Sequence, residues 1–176
     1  MGYSNPIVHY GAEKFCRECA EAGVDGLIVP DLPPEEAEDI GTQAKNAGLS
    51  LIFLIAPTSS PERIRKLDAL TSGYNYCVSI TGVTGSRHDL KSDEGFRQFL
   101  TSVKSNTRKP FMVGFSITTR SDVEYVWTLA DGAIVGTALI KALEPCRTIE
   151  ACAKAAQDFV TSLIPAPDLT KEGTSL

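Results

Sequence analysis

Long apolar runs are absent from this 176-residue sequence, and so are clusters of basic residues. No stretch approaches the roughly 20 apolar residues that a membrane-spanning helix needs, and no charged-then-apolar leader stands at the N-terminus. The 17 Lys and Arg residues are scattered and the net charge is −5, whereas a nucleic-acid surface needs clustered positive charge. These absences predict a globular chain with no membrane partner and no nucleic-acid partner.

The five cysteines form neither a complete metal site nor an even set of disulfide partners. Cys16 and Cys19 make a C-x-x-C motif, but no second Cys pair or Cys/His pair completes a zinc site. Both residues instead share the apolar stripe of a predicted helix with Ala12, Phe15 and Ala20. We therefore expect core cysteines, no metal site and a reducing, cytosol-like compartment.

Short apolar stretches alternate with helical patterns at a spacing of roughly 25 residues, which is typical of βα units. The predicted strands cover residues 25–30, 50–55, 75–80, 110–115 and 132–135. One predicted helix covers residues 33–48, and the last runs from Thr148 to Leu163 with Ile149 and Val160 on its inner face. Strict alternation with continuously apolar strands indicates an α/β fold, in which helices cover a parallel sheet.

The position of the glycine-rich turns separates two possible closures of this sheet. An open doubly wound sheet usually carries its Gly-rich turn after the first strand. Here such turns follow the last three strands, where a TIM (β/α)8 barrel builds its phosphate site. Five strands and a possible stub at "MGY" are too few for eight. We therefore expect a partial barrel domain at residues 1–164 that lacks about the first two βα units, followed by a flexible tail at residues 165–176.

The turns "VGFSITT" and "IVGTALIK" predict a phosphate site. Backbone N–H groups at a helix N-terminus lack partners, and the helix dipole favours an anion there. Gly114 and Gly136 would let the backbone approach a phosphate, Thr137 would add a hydroxyl donor, and Gly85 would supply a further N–H. Tight turning alone would explain one such glycine, but two successive turns favour phosphate binding.

Five motifs carry a family resemblance: "MGYSNP", "GVDGLIVPDLPPEE", "YNYCVSITGVTG", "VGFSIT" and "GAIVGTALIK". In this order and spacing they resemble the tryptophan synthase alpha subunit, from Met1 to about Leu143. The resemblance implies an eight-stranded barrel that cleaves indole-3-glycerol phosphate to indole and glyceraldehyde 3-phosphate, without a cofactor. It also implies a beta subunit as partner, a role in tryptophan biosynthesis, and a cytoplasmic location, or the plastid stroma in a eukaryote.

The resemblance also implies a role for individual positions. The substrate phosphate would lie on the amides of Gly85, Gly114, Ser116, Gly136 and Thr137. The indole ring would lie among Tyr3, Ile28, Leu54, Tyr76, Thr84 and Phe115. The surface facing the beta subunit would include Asp31, Leu32, Pro33 and Gly82. The segment "ITGVTGSRHD" matches the loop that closes over substrate, and Ser116 stands where the family usually has Gly, so a positive φ there would be mildly strained.

The family's catalytic glutamate and aspartate match no residue of this sequence, since both would lie upstream of Met1. Thr84 would support that pair by orienting a carboxylate. Two other interpretations stay open. One is another phosphate-binding barrel enzyme, such as a relative of indole-glycerol-phosphate synthase, which would require a catalytic Lys at a strand end. The other is a non-catalytic remnant that binds a phosphate or a protein partner.

Overall fold

A computed structural model describes residues 1–79, 90–114 and 117–164. The strands within these ranges are β1 (Gly26–Ile28), β2 (Ser50–Ile52), β3 (Leu54–Ile55), β4 (Asn75–Val78), β5 (Phe111–Gly114) and β6 (Gly132–Ile134). The helices are α1 (Ser4–Tyr10), α2 (Ala12–Glu21), α3 (Glu38–Asn46), α4 (Pro61–Leu70), α5 (Glu94–Asn106), α6 (Arg120–Trp127), α7 (Thr137–Leu143) and α8 (Ile149–Leu163). Each strand position is followed by a helix, as the alternation predicts.

Every strand pairing is parallel, so this prediction is confirmed. Strand β1 pairs with β2, and a second sheet has the order β3-β4-β5-β6. The predicted strand at 50–55 is one extended stretch that changes partner at Phe53. There the Phe53 N–H donates to Oγ1 of Thr71 at 2.9 Å, while its carbonyl accepts from the Tyr76 N–H at 3.0 Å. The stretch therefore links the two sheets.

The strand register sorts side chains onto two faces of the four-stranded sheet. Ile55, Cys77 and Val113 are register neighbours, and all three side chains are fully buried in the core with the helices. The residues that alternate with them along the strands point to the opposite, inward face, because successive strand residues face opposite sides. Those inward-facing neighbours are Leu54, Tyr76, Met112 and Gly132.

Local capping explains where the helices begin. Oγ of Ser60 accepts a hydrogen bond from the Arg63 N–H at 3.3 Å, and Pro61 occupies the first helical position of α4. Thr119 and Asp122 form a reciprocal capping box at the start of α6. Oγ1 of Thr148 caps α8 through the Ala151 N–H. These caps place each helix close behind the strand or turn that precedes it.

One helix boundary and one expected strand differ from the prediction. Helix α3 begins at Glu38 rather than at residue 33, because the prolines at 33 and 34 start a turn in which Glu36 N–H bonds to the Pro33 carbonyl at 3.0 Å. Helix α1 follows directly on the expected strand stub at "MGY", and residues 1–3 are not a strand. Among the described residues, one strand-like bond reaches this segment, from the Gly2 N–H to the Ile28 carbonyl at 3.1 Å.

The sequence predicts a buried face along α8, and this prediction is wrong for most of the helix. Leu163 is buried, but Ile149 is 85% exposed and Val160 is 45% exposed. Helix α8 contacts α7 and α6, so its remaining apolar residues have no sheet to cover within the described residues. The apolar residues of α8 recur with a helical period, but this period does not specify a neighbouring surface that could bury them.

Candidate functional site

Tyr76 and Gly114 form the centre of the candidate site. Tyr76 lies on β4 and is 5% exposed, and Gly114 ends the neighbouring strand β5. A Cβ atom added to Gly114 would overlap the hydroxyl oxygen and Cζ of Tyr76 and would lie 2.6 Å from its Cε1. The glycine therefore provides the space in which the phenol ring rises towards the carboxyl ends of the strands.

The same glycine anchors the residue that leads out of β4. The carbonyl of Gly114 accepts from the Ser79 backbone N–H at 3.2 Å and from the Ser79 hydroxyl at 3.1 Å. Burial is the main reason that the pKa of Tyr76 is raised, with the charge of Tyr74 adding to it. At neutral pH Tyr76 is therefore a neutral phenol, which can donate or accept a hydrogen bond.

Gly136 and Thr137 lie at the same end of the sheet as Gly114. Gly114 is the register partner of Ile134 on β6, and Gly136 follows two residues later as the N-cap of α7. Gly136 and Thr137 are both exposed, and nothing lies within 4 Å of a Cβ added to Gly136. The start of α7 is thus exposed to solvent.

A cavity of about 760 Å³ lies beyond the ends of β1 and β3. It brings together Leu54, one of the expected ring contacts, with the turn that holds Asp31, Leu32 and Pro33. Its wall also includes Arg63, which the sequence reasoning missed. Leu54 is also the register partner of Tyr76, so the cavity lies next to the inward face that holds the phenol ring.

The Asp31 carboxylate is bound to the N-terminal segment of the chain. Oδ1 accepts from the Ser4 backbone N–H and Oδ2 from the Ser4 hydroxyl, both at 2.8 Å. Desolvation pushes the pKa of Asp31 up, but the bonds from Ser4 outweigh it, and the net pKa is lowered. Leu32 is buried in the core, so only Asp31 and Pro33 of this turn present side-chain surface to a partner.

An ion-pair cluster fixes the far side of the same turn. Oε1 of Glu35 lies 2.7 Å from Nζ of Lys66 and 2.6 Å from Nη1 of Arg63. The hydrogen bond from Lys66 contributes most to lowering the pKa of Glu35, to about 2, and Arg63 adds to the effect. The cluster ties the turn after β1 to helix α4, which forms one wall of the cavity.

The other expected site residues vary in their placement. Tyr3 is 67% exposed, and Ile28 is half-buried on the edge strand β1. Five of the expected positions lie outside the described residues, namely Gly82, Thr84, Gly85, Phe115 and Ser116. Gly114, Gly136, Thr137, Leu54 and Tyr76 are described and lie towards one end of the strands.

Met112 and Gly132 complete the inward layer, and no motif pointed to them. Met112 pairs in register with Tyr76 on one side and with Gly132 on the other. A Cβ atom added to Gly132 would lie 2.5 Å from Sδ of Met112, so the thioether fills the space that the glycine leaves. Alternation along the strands could have identified both from the sequence. Met112 lies an even number of residues from Gly114, and Gly132 an even number from Gly136, so each shares a face with a predicted site residue.

No group of three or more His, Cys, Asp or Glu side chains with metal-binding geometry occurs in residues 1–79, 90–114 and 117–164. The same ranges contain no helix that is long and apolar enough to cross a bilayer. All five cysteines are free thiols.

Parallel strands, outer helices and glycine-rich turns at the carboxyl ends define a protein of the βα-barrel class. A family model described as the tryptophan synthase alpha chain matches residues 1–165. The tryptophan synthase alpha chains of Prosthecochloris aestuarii and Chlorobium chlorochromatii are each 46% identical over 165 residues, covering 93% of this chain and 62% of the relative.

Solved structures agree with these sequence matches. A structure of the tryptophan synthase α2β2 complex from Pyrococcus furiosus matches with a TM-score of 0.78 and 33% identity, over 92% of this chain and 64% of that chain. This chain belongs to the tryptophan synthase alpha chain family, and its fold is a partial TIM barrel. It spans about 62% of the length of the curated relatives that it matches.

Proposed function

We propose that this chain forms the substrate-binding side of an indole-3-glycerol-phosphate lyase, the alpha component of tryptophan synthase. Membership of the alpha chain family is the observation that carries the proposal. The position of Tyr76 over Gly114 supports it, because a buried phenol beside an open strand end suits a flat aromatic ligand.

The phosphate of the substrate would bind where Gly114 and Gly136 end their strands. Gly136 and Thr137 are exposed at the start of α7, where the first backbone N–H groups and the Thr137 hydroxyl would donate to an anion. Gly85 and Ser116 would add amides from outside the described residues. The indole ring would lie on the inward face with Ile28, Leu54, Tyr76 and Phe115, and Tyr3 would approach from the β1 side.

Cleavage of the substrate breaks the carbon–carbon bond between the indole ring and the glycerol chain. A proton must reach the ring carbon, and another must leave the adjacent hydroxyl group, so an acid and a base are needed. The family's catalytic glutamate and aspartate match no residue of this sequence. Thr84 would act only by orienting one of those carboxylates. This chain therefore contributes binding and orientation rather than the proton transfers.

A beta subunit would be the protein partner of this chain. The Pyrococcus furiosus relative is described in an α2β2 complex, and we extend that arrangement to this chain. Asp31, Pro33 and Gly82 would meet the beta subunit beside the cavity at the ends of β1 and β3. The ties from Asp31 to Ser4 and from Glu35 to α4 would hold this surface in shape.

Calorimetric binding of an unreactive indolylalkyl phosphate to the 176-residue chain tests the site. Gly136→Val should weaken binding at least tenfold, because the added side chain blocks the approach of the phosphate to the amides. A Cβ atom at Gly136 would meet nothing within 4 Å and the φ there is −109°, so we expect the variant to fold, and circular dichroism checks that it does. Ala153→Val, on exposed α8, is the matched control and should bind like the parent. Equal affinity of the Gly136 variant would place the phosphate elsewhere.

A further inference from the structure

The connection between α7 and α8 is short and held by several hydrogen bonds. The Cys146 N–H donates to the Leu143 carbonyl at 2.9 Å. The Arg147 guanidinium donates to the carbonyls of Glu144 and Cys146 at 2.9 and 3.2 Å, and Oγ1 of Thr148 caps α8. These bonds fix the backbone on both sides of Cys146, so its side chain has a defined direction.

Cys146 and Cys152 meet where the chain turns into α8. Residues 144–151 are exposed except for Cys146, which is half-buried. Cys152 lies one helical turn beyond the N-cap residue Thr148, to whose carbonyl its N–H donates at 3.0 Å, and it is half-buried as well. Helical side chains lean towards the N-terminus of their helix. The Cys152 side chain therefore points back towards the connection that holds Cys146.

The two thiols interact with each other. Burial is the main reason that the pKa of Cys146 is raised; the side-chain hydrogen bond with Cys152 and the negative charge of that residue raise it further, and the positive charge of Arg147 lowers it. The hydrogen bond keeps the proton on Cys146, so Cys146 is the donor of this pair and Cys152 is the acceptor.

The other three cysteines form no comparable pair, and all five cysteines lie within the described residues. Cys77 is fully buried on β4. Cys16 and Cys19 lie three residues apart on α2, but Cys16 is fully buried in the core, where dissolved reagents do not reach it unless the fold opens. Cys146 and Cys152 are therefore the neighbouring thiols that both present surface to solvent.

We propose that Cys146 and Cys152 are a modification site that forms a reversible disulfide with hydrogen peroxide as the oxidant. The Cys152 thiolate attacks one peroxide oxygen and breaks the O–O bond, which leaves a sulfenic acid on Cys152 and a hydroxide that takes up a proton. The Cys146 thiol then loses its proton and attacks the Cys152 sulfur, and the S–O bond breaks with release of a second water. The two sulfurs together lose two electrons, which reduce the peroxide.

The disulfide ties the α7–α8 connection to the start of α8, and small thiols reverse it by exchange. Disulfides in a reducing compartment are usually transient and redox-sensing, so the pair agrees with the compartment that the cysteine pattern predicts. Neither cysteine belongs to the proposed substrate site. The proposal is therefore independent of the proposed lyase function.

Peptide mapping of the 176-residue chain after treatment with hydrogen peroxide tests the proposal. Trypsin cleaves after Lys141, Arg147 and Lys154, which puts Cys146 in the peptide 142–147 and Cys152 in the peptide 148–154. Without reductant we expect these two peptides to be linked, with the loss of two hydrogen atoms, and dithiothreitol should separate them. The link should form at least threefold faster in the folded chain than in urea, at a rate that does not depend on protein concentration.

A set of variants tests the order of the two steps. Cys146→Ser should accumulate a sulfenic acid on Cys152, and a cyclic 1,3-diketone should label it at least tenfold more than in the parent, where Cys146 consumes it. Cys152→Ser should form no link and should label much less on Cys146. Cys19→Ser, on α2, is the matched control and should form the link like the parent.

Three outcomes would overturn the proposal: the two peptides stay unlinked after peroxide treatment, the link forms equally fast in the folded and the unfolded chain, or Cys19 takes the place of either partner. Equal labelling of Cys146 in Cys152→Ser and of Cys152 in Cys146→Ser would overturn the assigned order of attack.

Discussion

The phenol ring of Tyr76 occupies the space that a side chain on Gly114 would need. The two residues lie on neighbouring strands, and Gly114 is the register partner of Val78 rather than of Tyr76. The ring therefore reaches one layer upward along the inward face, towards the ends of the strands. This diagonal contact puts the hydroxyl group of Tyr76 at the level of Gly114, the last residue of β5.

Gly114→Ala should destabilise the chain by about 1–3 kcal/mol, because the new methyl group forces the ring of Tyr76 or the backbone to move. Urea unfolding followed by circular dichroism measures the change. Gly136→Ala is the control, since its Cβ would meet nothing within 4 Å, and its stability should match that of the parent. Equal losses in both variants would show that the contact with Tyr76 is not the cause.

Gly132→Ala should cost less than Gly114→Ala, although its Cβ would also lie close to a side chain, Sδ of Met112. Methionine is unbranched and half-buried here, so the thioether can move aside. We expect a loss below about 1 kcal/mol by the same unfolding assay. A larger loss would mean that Met112 is held as rigidly as Tyr76.

Asp68 should make stability depend on pH at the opposite end of the sheet. It accepts hydrogen bonds from the Asn75 side chain at 2.8 Å and from the N–H groups of Arg108 and Lys109 at 3.1 Å. Desolvation pushes the pKa of Asp68 up, but these bonds outweigh it, and the net pKa is lowered. Its contribution is therefore present above the unfolded pKa of about 3.9 and is lost as pH falls through the folded pKa.

Asp68→Asn should reduce the free energy of unfolding by about 1–3 kcal/mol at pH 7, because buried donors lose a charged acceptor. The difference from the parent should shrink in unfolding curves taken near pH 3. Asp158→Asn is the control, since its ion pair with Lys154 is well exposed and should matter little. A difference that stays constant with pH would contradict this role of the carboxylate.

The five thiols should separate into two reactivity classes. Cys16 and Cys77 are fully buried, and burial raises the pKa of Cys77 to about 12. Thiolates are the reactive form, so native alkylation at pH 8 should modify Cys19, Cys146 and Cys152 first. Mass spectrometry after timed quenching identifies the labelled residues, and urea should expose the other two. Rapid native labelling of Cys77 would show that the layer between sheet and helices is open.

The chain by itself should release no indole above background from indole-3-glycerol phosphate. General acid–base catalysis contributes roughly 10²- to 10⁴-fold, and the family's carboxylate pair is not in this sequence. Addition of the complementary part of a relative should produce indole under the same conditions. Robust turnover by the chain alone would mean that other residues supply the acid and the base.

Local sequence determined much of this fold. Apolar stretches bounded by glycine and proline placed all five strand positions, and the caps at Ser60, Thr119 and Thr148 placed three helix starts. These signals work because each depends on residues a few positions apart. The family could also be inferred, since its motifs lie in short turns that a sequence shows directly.

Tertiary structure decided which faces are covered. Ile149 and Val160 lie on a helical stripe, yet they are exposed because no sheet lies beside that part of α8 in the described residues. Helix α1 depends on Asp31, 27 residues away, to receive its first N–H. The contact between Met112 and Gly132 follows from strand register, which pairs them across two neighbouring strands. Burial and register join distant parts of the chain, so no local pattern contains them.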